Sequence, residues 1–208
     1  MKLVWTRSGM PHGYLCDVPI HLIYRLEGCL PVHVVQELTT ELLDQLSVLE
    51  KLSPPVIDRI SKVKEQYFLA YDRLLDAQDQ SKYILAHAEI AQVVLDSWKT
   101  LAARGKCKIH VVCIMGNHVH VLLERVKRAE ETPVGLILRQ HKTWTDRVIQ
   151  RELSLDHKVW ARGFFDRYVR PRSLEDVFHY ILSNPVKAGL IRDGRDWPFT
   201  WIPNAGGI

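Results

Sequence analysis

The hydrophobic positions of the chain follow two different spacings, and the switches between them outline the secondary structure. Residues 19–28, PIHLIYRLEG, are rich in β-formers as far as Tyr24 and end at Gly28, which predicts a strand. Apolar residues then recur every three or four positions, which is the helical period. The helices predicted in this way cover residues 35–49, 56–76 and 87–104.

A second β-rich region follows at residues 107–126, CKIHVVCIMGNHVHVLLERV. Two apolar runs flank Gly116 and Asn117, and such a pair between strands is typical of a two-residue hairpin. We therefore predict two antiparallel strands, the second of which begins next to the turn. The remaining predicted elements are a helix over 132–150, an aromatic strand or extended segment over 159–170, and a helix over 173–184.

Strands and helices interleave in this order without a regular strand–helix alternation. Such an order favours an α+β fold with an antiparallel sheet over a parallel one. The length of 208 residues suits one well-buried domain, and 47% hydrophobic with 25% charged residues is an ordinary globular balance. We expect a single domain over residues 1–208, with a helical elaboration at about 34–104.

Apolar stretches and cysteines bear on where the protein works. No apolar stretch approaches the roughly 18 residues of a membrane span, and MKLVWTRSGM at the start lacks the apolar core of a secretory signal. The four cysteines form no CxxC pair. We therefore expect a reduced, cytoplasmic protein without a membrane partner.

Positive charge is concentrated in one part of the chain. The net charge is +4, but residues 139–172 alone hold nine Lys/Arg against four Asp/Glu, interleaved with aromatic residues. Cations for phosphates and flat rings for bases favour a nucleic-acid partner. A solvated basic helix followed by an aromatic core strand would give the same composition. The candidate phosphate contacts are Arg162, Arg167 and Arg170.

Two histidines interrupt the apolar run NHVHVLL at residues 117–123. Alternate residues of a strand point to the same face, so His118 and His120 would project from one side, with Cα atoms about 6.6 Å apart. Two imidazoles on a common face suit one metal ion or one phosphate. Two buried histidines that only make hydrogen bonds remain the alternative.

A tyrosine and an asparagine share one flank of the last predicted helix. At 100° per residue, Tyr180 lies roughly 120° from the centre of the buried stripe, and Asn184 lies beside it one turn later. The alternatives are a boundary tyrosine with its hydroxyl in water and an asparagine that caps a turn at Pro185. The predicted buried stripe consists of Leu174, Val177, Phe178 and Ile181.

Three segments together carry a family resemblance. MGNHVHVLLE, WARGFFDRYVR and, some sixty residues after the first, YILSNPVKAGL resemble the single-tyrosine transposases of the HUH endonuclease class, and most closely the REP-associated tyrosine transposase branch. The resemblance covers about residues 106–198 and extends to the strand at 19–28. One departure is Gly116, where members of the family often have proline before Asn-His-Val-His.

The resemblance implies a fold, a site and a reaction. The fold would be an antiparallel sheet of ferredoxin-like or HUH type packed with helices, plus extra N-terminal helices. His118, His120 and Asn184 would bind Mg²⁺ or Mn²⁺, and Tyr180 would be the nucleophile. The protein would cleave and rejoin single-stranded DNA, with hairpin structure nearby, through a covalent 5′-phosphotyrosine. A homodimer is compatible with this family.

Two other functions remain open at this point. The first is a catalytically idle, domesticated protein that binds hairpin DNA. The second is a metal-dependent hydrolase that uses the paired histidines, since imidazole suits zinc. The familiar barrel hydrolases, however, place this motif near the first strand and need about 250 residues.

Overall fold

The computed structural model describes residues 3–5, 11–52, 57–127 and 129–203. The strands are β1 Leu3–Trp5, β2 Pro11–Leu15, β3 Ile20–Arg25, β4 Lys108–Ile114, β5 His118–Glu124, β6 Thr132–Pro133, β7 Phe165–Tyr168 and β8 Thr200–Trp201. The helices are α1 Val32–Glu50, α2 Ile57–Asp76, α3 Ala88–Ala103, α4 Val134–Leu153 and α5 Leu174–Lys187. Short 3₁₀ turns lie at Gln80–Lys82, Ile84–Ala86, Pro171–Ser173 and Gly194–Asp196.

The main sheet has five strands in the order β7-β3-β5-β4-β8, and each neighbouring pair is antiparallel. A smaller sheet joins β1, β2 and β6. The predicted hairpin forms between β4 and β5, where the Met115 N–H donates to the His118 carbonyl across Gly116 and Asn117. The α+β class with an antiparallel sheet is confirmed.

The two faces of the sheet carry separate hydrophobic layers, and β5 contributes to both. Val119, Val121 and Leu123 belong to the larger layer, which also contains residues of α1, α2, α3 and α4. Leu122 belongs to the smaller layer, formed with Val177 and other residues of α5. Because strand residues alternate between faces, His118 and His120 lie on the α5 side.

Helix α2 packs against the end of the sheet formed by β3 and β7. The Phe68 ring lies 4.4 Å from the ring of His21, and the Tyr71 ring lies 4.1 Å from that of Phe165, measured between centroids. Phe68 and Tyr71 both belong to the larger layer. Helix α2 is therefore attached to the sheet through buried contacts.

Several predicted boundaries differ from the structure. Helix α4 begins at Val134 without a side-chain cap, since Thr132 and Pro133 pair with β2 instead, and it runs past residue 150 to Leu153. The prolines at 54 and 55, which separate the first two predicted helices, lie outside the described residues. None of the described helices combines the length and apolarity needed to cross a membrane.

The last helix is longer than predicted, which places Asn184 inside it. Helix α5 continues through Pro185 to Lys187, and the Ala188 N–H donates to the Asn184 carbonyl at 2.9 Å. Pro185 has no N–H to donate to the Ile181 carbonyl, and the packing of the buried Ile181 and Pro185 outweighs the loss of that one intrahelical bond. Asn184 therefore caps no following turn, and its side chain is available to the sheet face below.

Candidate metal and nucleophile site

The predicted site residues come together where α5 crosses β5. His118 and His120 project from β5, and Asn184 reaches them from the last turns of α5. The Nε2 atoms of the two histidines are 3.0 Å apart, and Asn184 Nδ2 lies 2.8 Å from His120 Nε2. All three residues have an exposed fraction of 0%.

A neighbouring side chain fixes the proton on His118. Asn117 Nδ2 donates to the Leu75 carbonyl at 3.0 Å, so Asn117 Oδ1 faces His118 Nδ1, at 2.5 Å, as an acceptor. The Nδ1 atom of a neutral His118 must therefore carry the proton. Its Nε2 lone pair is left for the centre of the site.

The ring of His120 is also oriented by hydrogen bonds to both of its nitrogens. Because Asn184 Nδ2 donates to His120 Nε2, that atom is an acceptor and the proton of a neutral ring sits on Nδ1. This Nδ1 lies 3.1 Å from Nε2 of the buried His21. A partner on the outer nitrogen is how metal-binding histidines are usually oriented. His21 is not among the site residues predicted from the sequence.

Burial keeps the imidazoles of His118 and His21 uncharged. Desolvation lowers the pKa of His118 to about 3, and His120 adds to this effect. The negative charge of Asp72 acts in the opposite direction but does not outweigh them. Desolvation and then His120 hold the pKa of His21 well below its usual value. At neutral pH His118 therefore has the form that ligates metals.

A carboxylate that the sequence did not predict completes the cluster. Asp72 of α2 has an exposed fraction of 0%, and its Oδ1 lies 3.2 Å from His120 Nε2 and 3.6 Å from His118 Nε2. Burial acts to raise the pKa of Asp72. The opposing effects of His120, which are the largest, and of His118 and Tyr180 outweigh burial and hold that pKa well below its usual range. One feature of the sequence could have identified Asp72: it is an acidic residue within the apolar stripe of α2, whose members Phe68, Tyr71 and Leu75 are buried.

The predicted nucleophile lies beside this carboxylate. Tyr180 is half-buried, and its hydroxyl donates to Asp72 Oδ2. Burial, and then the charge and hydrogen bond of Asp72, raise the pKa of Tyr180 well above its usual value. The ammonium group of Lys187 lies 3.8 Å from the centroid of the Tyr180 ring. Tyr180 is thus accessible in part, and its oxygen points toward the cluster.

The cluster fits a divalent cation. Asp72, His118 and His120 offer ligand atoms that all lie within 4.8 Å of one another. Within the described part of the chain, the buried Asp72 Oδ1 and Asn184 Oδ1 have no hydrogen-bond partner. Rotation of the Asn184 amide would exchange Nδ2 for Oδ1 at His120. Imidazole nitrogens with carboxylate and amide oxygens are a donor set for divalent metals.

A comparison with protein families decides what kind of protein carries this site. Residues 76–184 match the model of the IS200-like transposases, which is about half of the chain. The chain belongs to this family. The matched segment contains His118 and His120 and ends at Asn184, whereas Asp72 precedes it.

Two individual proteins are similar to this transposase family member. A Haemophilus influenzae protein described as a candidate REP-associated tyrosine transposase is 25% identical over 99 residues, which are 43% of this chain and 55% of that protein. The chain thus matches about half the length of that relative. A solved REP-associated tyrosine transposase, bound to a REP hairpin, has a TM-score of 0.50 and 14% identity, covering 90% of this chain and 78% of the other. This likeness confirms the predicted fold.

Two of the three predicted DNA-contacting arginines line one cavity of this IS200-like transposase. Arg167 and Arg170 border a cavity of about 550 Å³ between α2 and β7, together with other basic residues. Arg167 donates to Glu65 at 2.5 Å and lies over the Phe68 ring at 4.9 Å. Arg162 is exposed and lies outside this cavity. The other basic residues of the cavity are Lys62, Lys64 and Arg172.

The glycine that departs from the family pattern has a structural reason. A Cβ atom at Gly116 would lie 2.0 Å from the Gln80 carbonyl oxygen. This close approach follows from two hydrogen bonds to the Leu75 carbonyl, one from the Gln80 amide at 2.9 Å and one from the Asn117 amide at 3.0 Å. The end of α2 is thereby tied to the hairpin that carries His118.

We expect Gly116→Ala to lower the free energy of unfolding by about 1–3 kcal/mol, because backbone rather than a flexible side chain occupies the space. The measurement is urea denaturation of both proteins. Gly163→Ala is the control, since a Cβ there meets nothing within 4 Å. It should stay within about 0.5 kcal/mol of wild type. Equal stabilities of the two variants would contradict the contact.

Proposed function

We propose that this protein is a metal-dependent single-stranded DNA transesterase that cleaves and rejoins DNA through a 5′-phosphotyrosine on Tyr180. The observation that carries the proposal is the meeting of His118, His120, Asn184 and the Tyr180 hydroxyl group around one buried centre. Membership of the IS200-like transposases supports DNA cleavage as the chemistry.

His118, His120 and Asn184 would hold one Mg²⁺ or Mn²⁺ ion. Both imidazoles direct an Nε2 lone pair at the centre, and the asparagine would supply its amide oxygen. When bound, such an ion neutralises charge on the scissile phosphate. Water and phosphate oxygens would fill the remaining positions, as these ions prefer.

Tyr180 would supply the nucleophile. Its phenol oxygen forms a bond to phosphorus while the bond from phosphorus to the 3′ oxygen breaks. The phenol gives up one proton and the leaving 3′ oxygen takes up one, which produces a phosphotyrosine and a free 3′-OH. Because the phosphoester energy is retained, the reverse reaction on another 3′-OH rejoins the strand.

Single-stranded DNA with an adjacent hairpin is the proposed substrate. The cavity at Arg167 and Arg170 offers cations for a phosphate backbone, and the Phe68 ring lies directly beneath Arg167. The positive charge of Arg167 also acts to lower the pKa of Tyr180, against the larger effects of burial and Asp72 that raise it. The structural relative bound to a REP hairpin supports a hairpin partner. A homodimer and a cytoplasmic location remain predictions.

Tyr180→Phe should fold and bind DNA but form no covalent adduct, because only the phenol oxygen is removed. The measurement is incubation with single-stranded hairpin-flanking DNA and Mn²⁺, followed by a denaturing gel. Tyr83→Phe, at another half-buried tyrosine, is the control and should form the adduct at the wild-type level.

Three outcomes of this assay separate the candidate functions. An adduct in wild type that disappears with excess chelator supports the proposal. Cleavage by Tyr180→Phe at the wild-type rate would indicate a hydrolase that uses water. DNA binding without any cleavage by wild type would indicate the idle hairpin-binding protein.

Arg167→Ala and Arg170→Ala should each weaken binding to single-stranded DNA and lower the salt dependence. Loss of one phosphate contact reduces the slope of log K against log salt by about 1. Fluorescence anisotropy across salt concentrations measures both quantities. Arg162→Ala, outside the cavity, should change the slope least. If Arg162→Ala reduced the slope as much as the other two variants, the DNA would not follow the cavity as proposed.

A further inference from the structure

We propose that Asp72 is an additional protein ligand of the metal and, through its second carboxylate oxygen, positions Tyr180 beside it. This inference rests on the proposed metal site of His118, His120 and Asn184. Asp72 lies in helix α2 and precedes the segment that matches the family model.

The first carboxylate oxygen faces the histidine nitrogens. Asp72 Oδ1 lies 3.2 Å and 3.6 Å from the two Nε2 atoms, which are themselves 3.0 Å apart. Three potential ligand atoms therefore lie close together in residues with no exposed surface. A buried carboxylate is costly unless a cation or hydrogen-bond donors compensate it. A divalent ion between these atoms would compensate the carboxylate and bind all three.

The second carboxylate oxygen holds the nucleophile. Tyr180 donates its hydroxyl hydrogen to Asp72 Oδ2, so one carboxylate group separates the phenol oxygen from the centre of the cluster. Holding a nucleophile in a fixed position relative to an activated phosphate lowers the barrier of the attack. Asp72 therefore acts as a positioning residue for Tyr180 in addition to its role as a ligand.

Buried packing of α2 fixes the position of this carboxylate. Tyr71 precedes Asp72, packs against Phe165 and accepts a hydrogen bond from Arg25 Nε at 2.9 Å. Phe68, one turn earlier, lies against the His21 ring. Since these contacts join the helix to the strands immediately before Asp72, metal binding and the docking of α2 should be coupled.

The test measures Mn²⁺ binding without DNA, so that activity is not needed as a readout. Asp72→Asn keeps the shape and can still accept the Tyr180 hydrogen bond, but it removes the charge. We expect its Mn²⁺ affinity to fall at least tenfold, since even an outer partner of a ligand is worth about 10–100-fold. The Mn²⁺-induced rise in Tm should shrink accordingly.

Two controls separate ligation from general charge and from Tyr180 itself. Asp76→Asn removes the acid one turn later, whose Oδ1 lies 3.8 Å from His118 Nε2 but which is not part of the cluster formed by Asp72 and the two histidines, and it should reduce the affinity less than Asp72→Asn does. Tyr180→Phe should also bind Mn²⁺ as wild type does, because the phenol contacts only Oδ2. If Asp72→Asn does not fold, Asp72→Ser serves as the second variant with the same expected loss.

The metal-free proteins provide a second readout. Asp72→Asn should melt no higher than wild type without metal, because the carboxylate that it replaces accepts the Tyr180 hydroxyl hydrogen and lies beside both histidines. A lower metal-free Tm with undiminished Mn²⁺ affinity would identify an ion pair between Asp72 and a protonated His120 and would overturn the inference.

The two hypotheses fail in different ways. Equal Mn²⁺ affinity of wild type and Asp72→Asn would reject Asp72 as a ligand and leave the proposed function standing. No Mn²⁺ binding by wild type, or full binding by the His118→Ala, His120→Ala double variant, would reject the metal site itself.

Discussion

The buried meeting of His118 and His120 with Asp72 is the interaction on which the site depends. Three polar atoms lie within reach of one another at zero exposure, where each has lost its water. Asn117 fixes the proton on His118, and His21 contacts the outer nitrogen of the His120 ring. The result is a set of potential ligand atoms close to one point, which is the arrangement a divalent cation stabilises.

The fold brings this cluster together through the two layers that cover the sheet. Alternation along β5 commits one set of side chains to the larger hydrophobic layer and leaves the histidines facing α5. Helix α5 then supplies Asn184 and Tyr180 one turn apart, and α2 supplies Asp72. The Leu75 carbonyl of α2 accepts a hydrogen bond from the Asn117 side chain of the hairpin, so the position of α2 and the geometry of the histidines depend on each other.

What could be predicted from the sequence was local in character. The period of two in β5 and the four-residue step from Tyr180 to Asn184 are visible in the chain, and the structure brings these residues together. Asp72 was missed because its neighbours are 46 and more residues away, and a single acid in a helical stripe does not reveal them. The continuation of α5 through Pro185 was missed for a similar reason, since tertiary packing outweighs the usual tendency of proline to end a helix.

Anomalous diffraction from crystals soaked in Mn²⁺ tests most directly whether the metal and the nucleophile share one site. The account predicts a single peak at coordination distance, about 2–2.5 Å, from Nε2 of His118, Nε2 of His120 and Oδ1 of Asp72. The Tyr180 hydroxyl should remain on the other oxygen of that carboxylate. A map with no peak there, or a peak bound by other side chains while the two Nε2 atoms stay in contact, would contradict it.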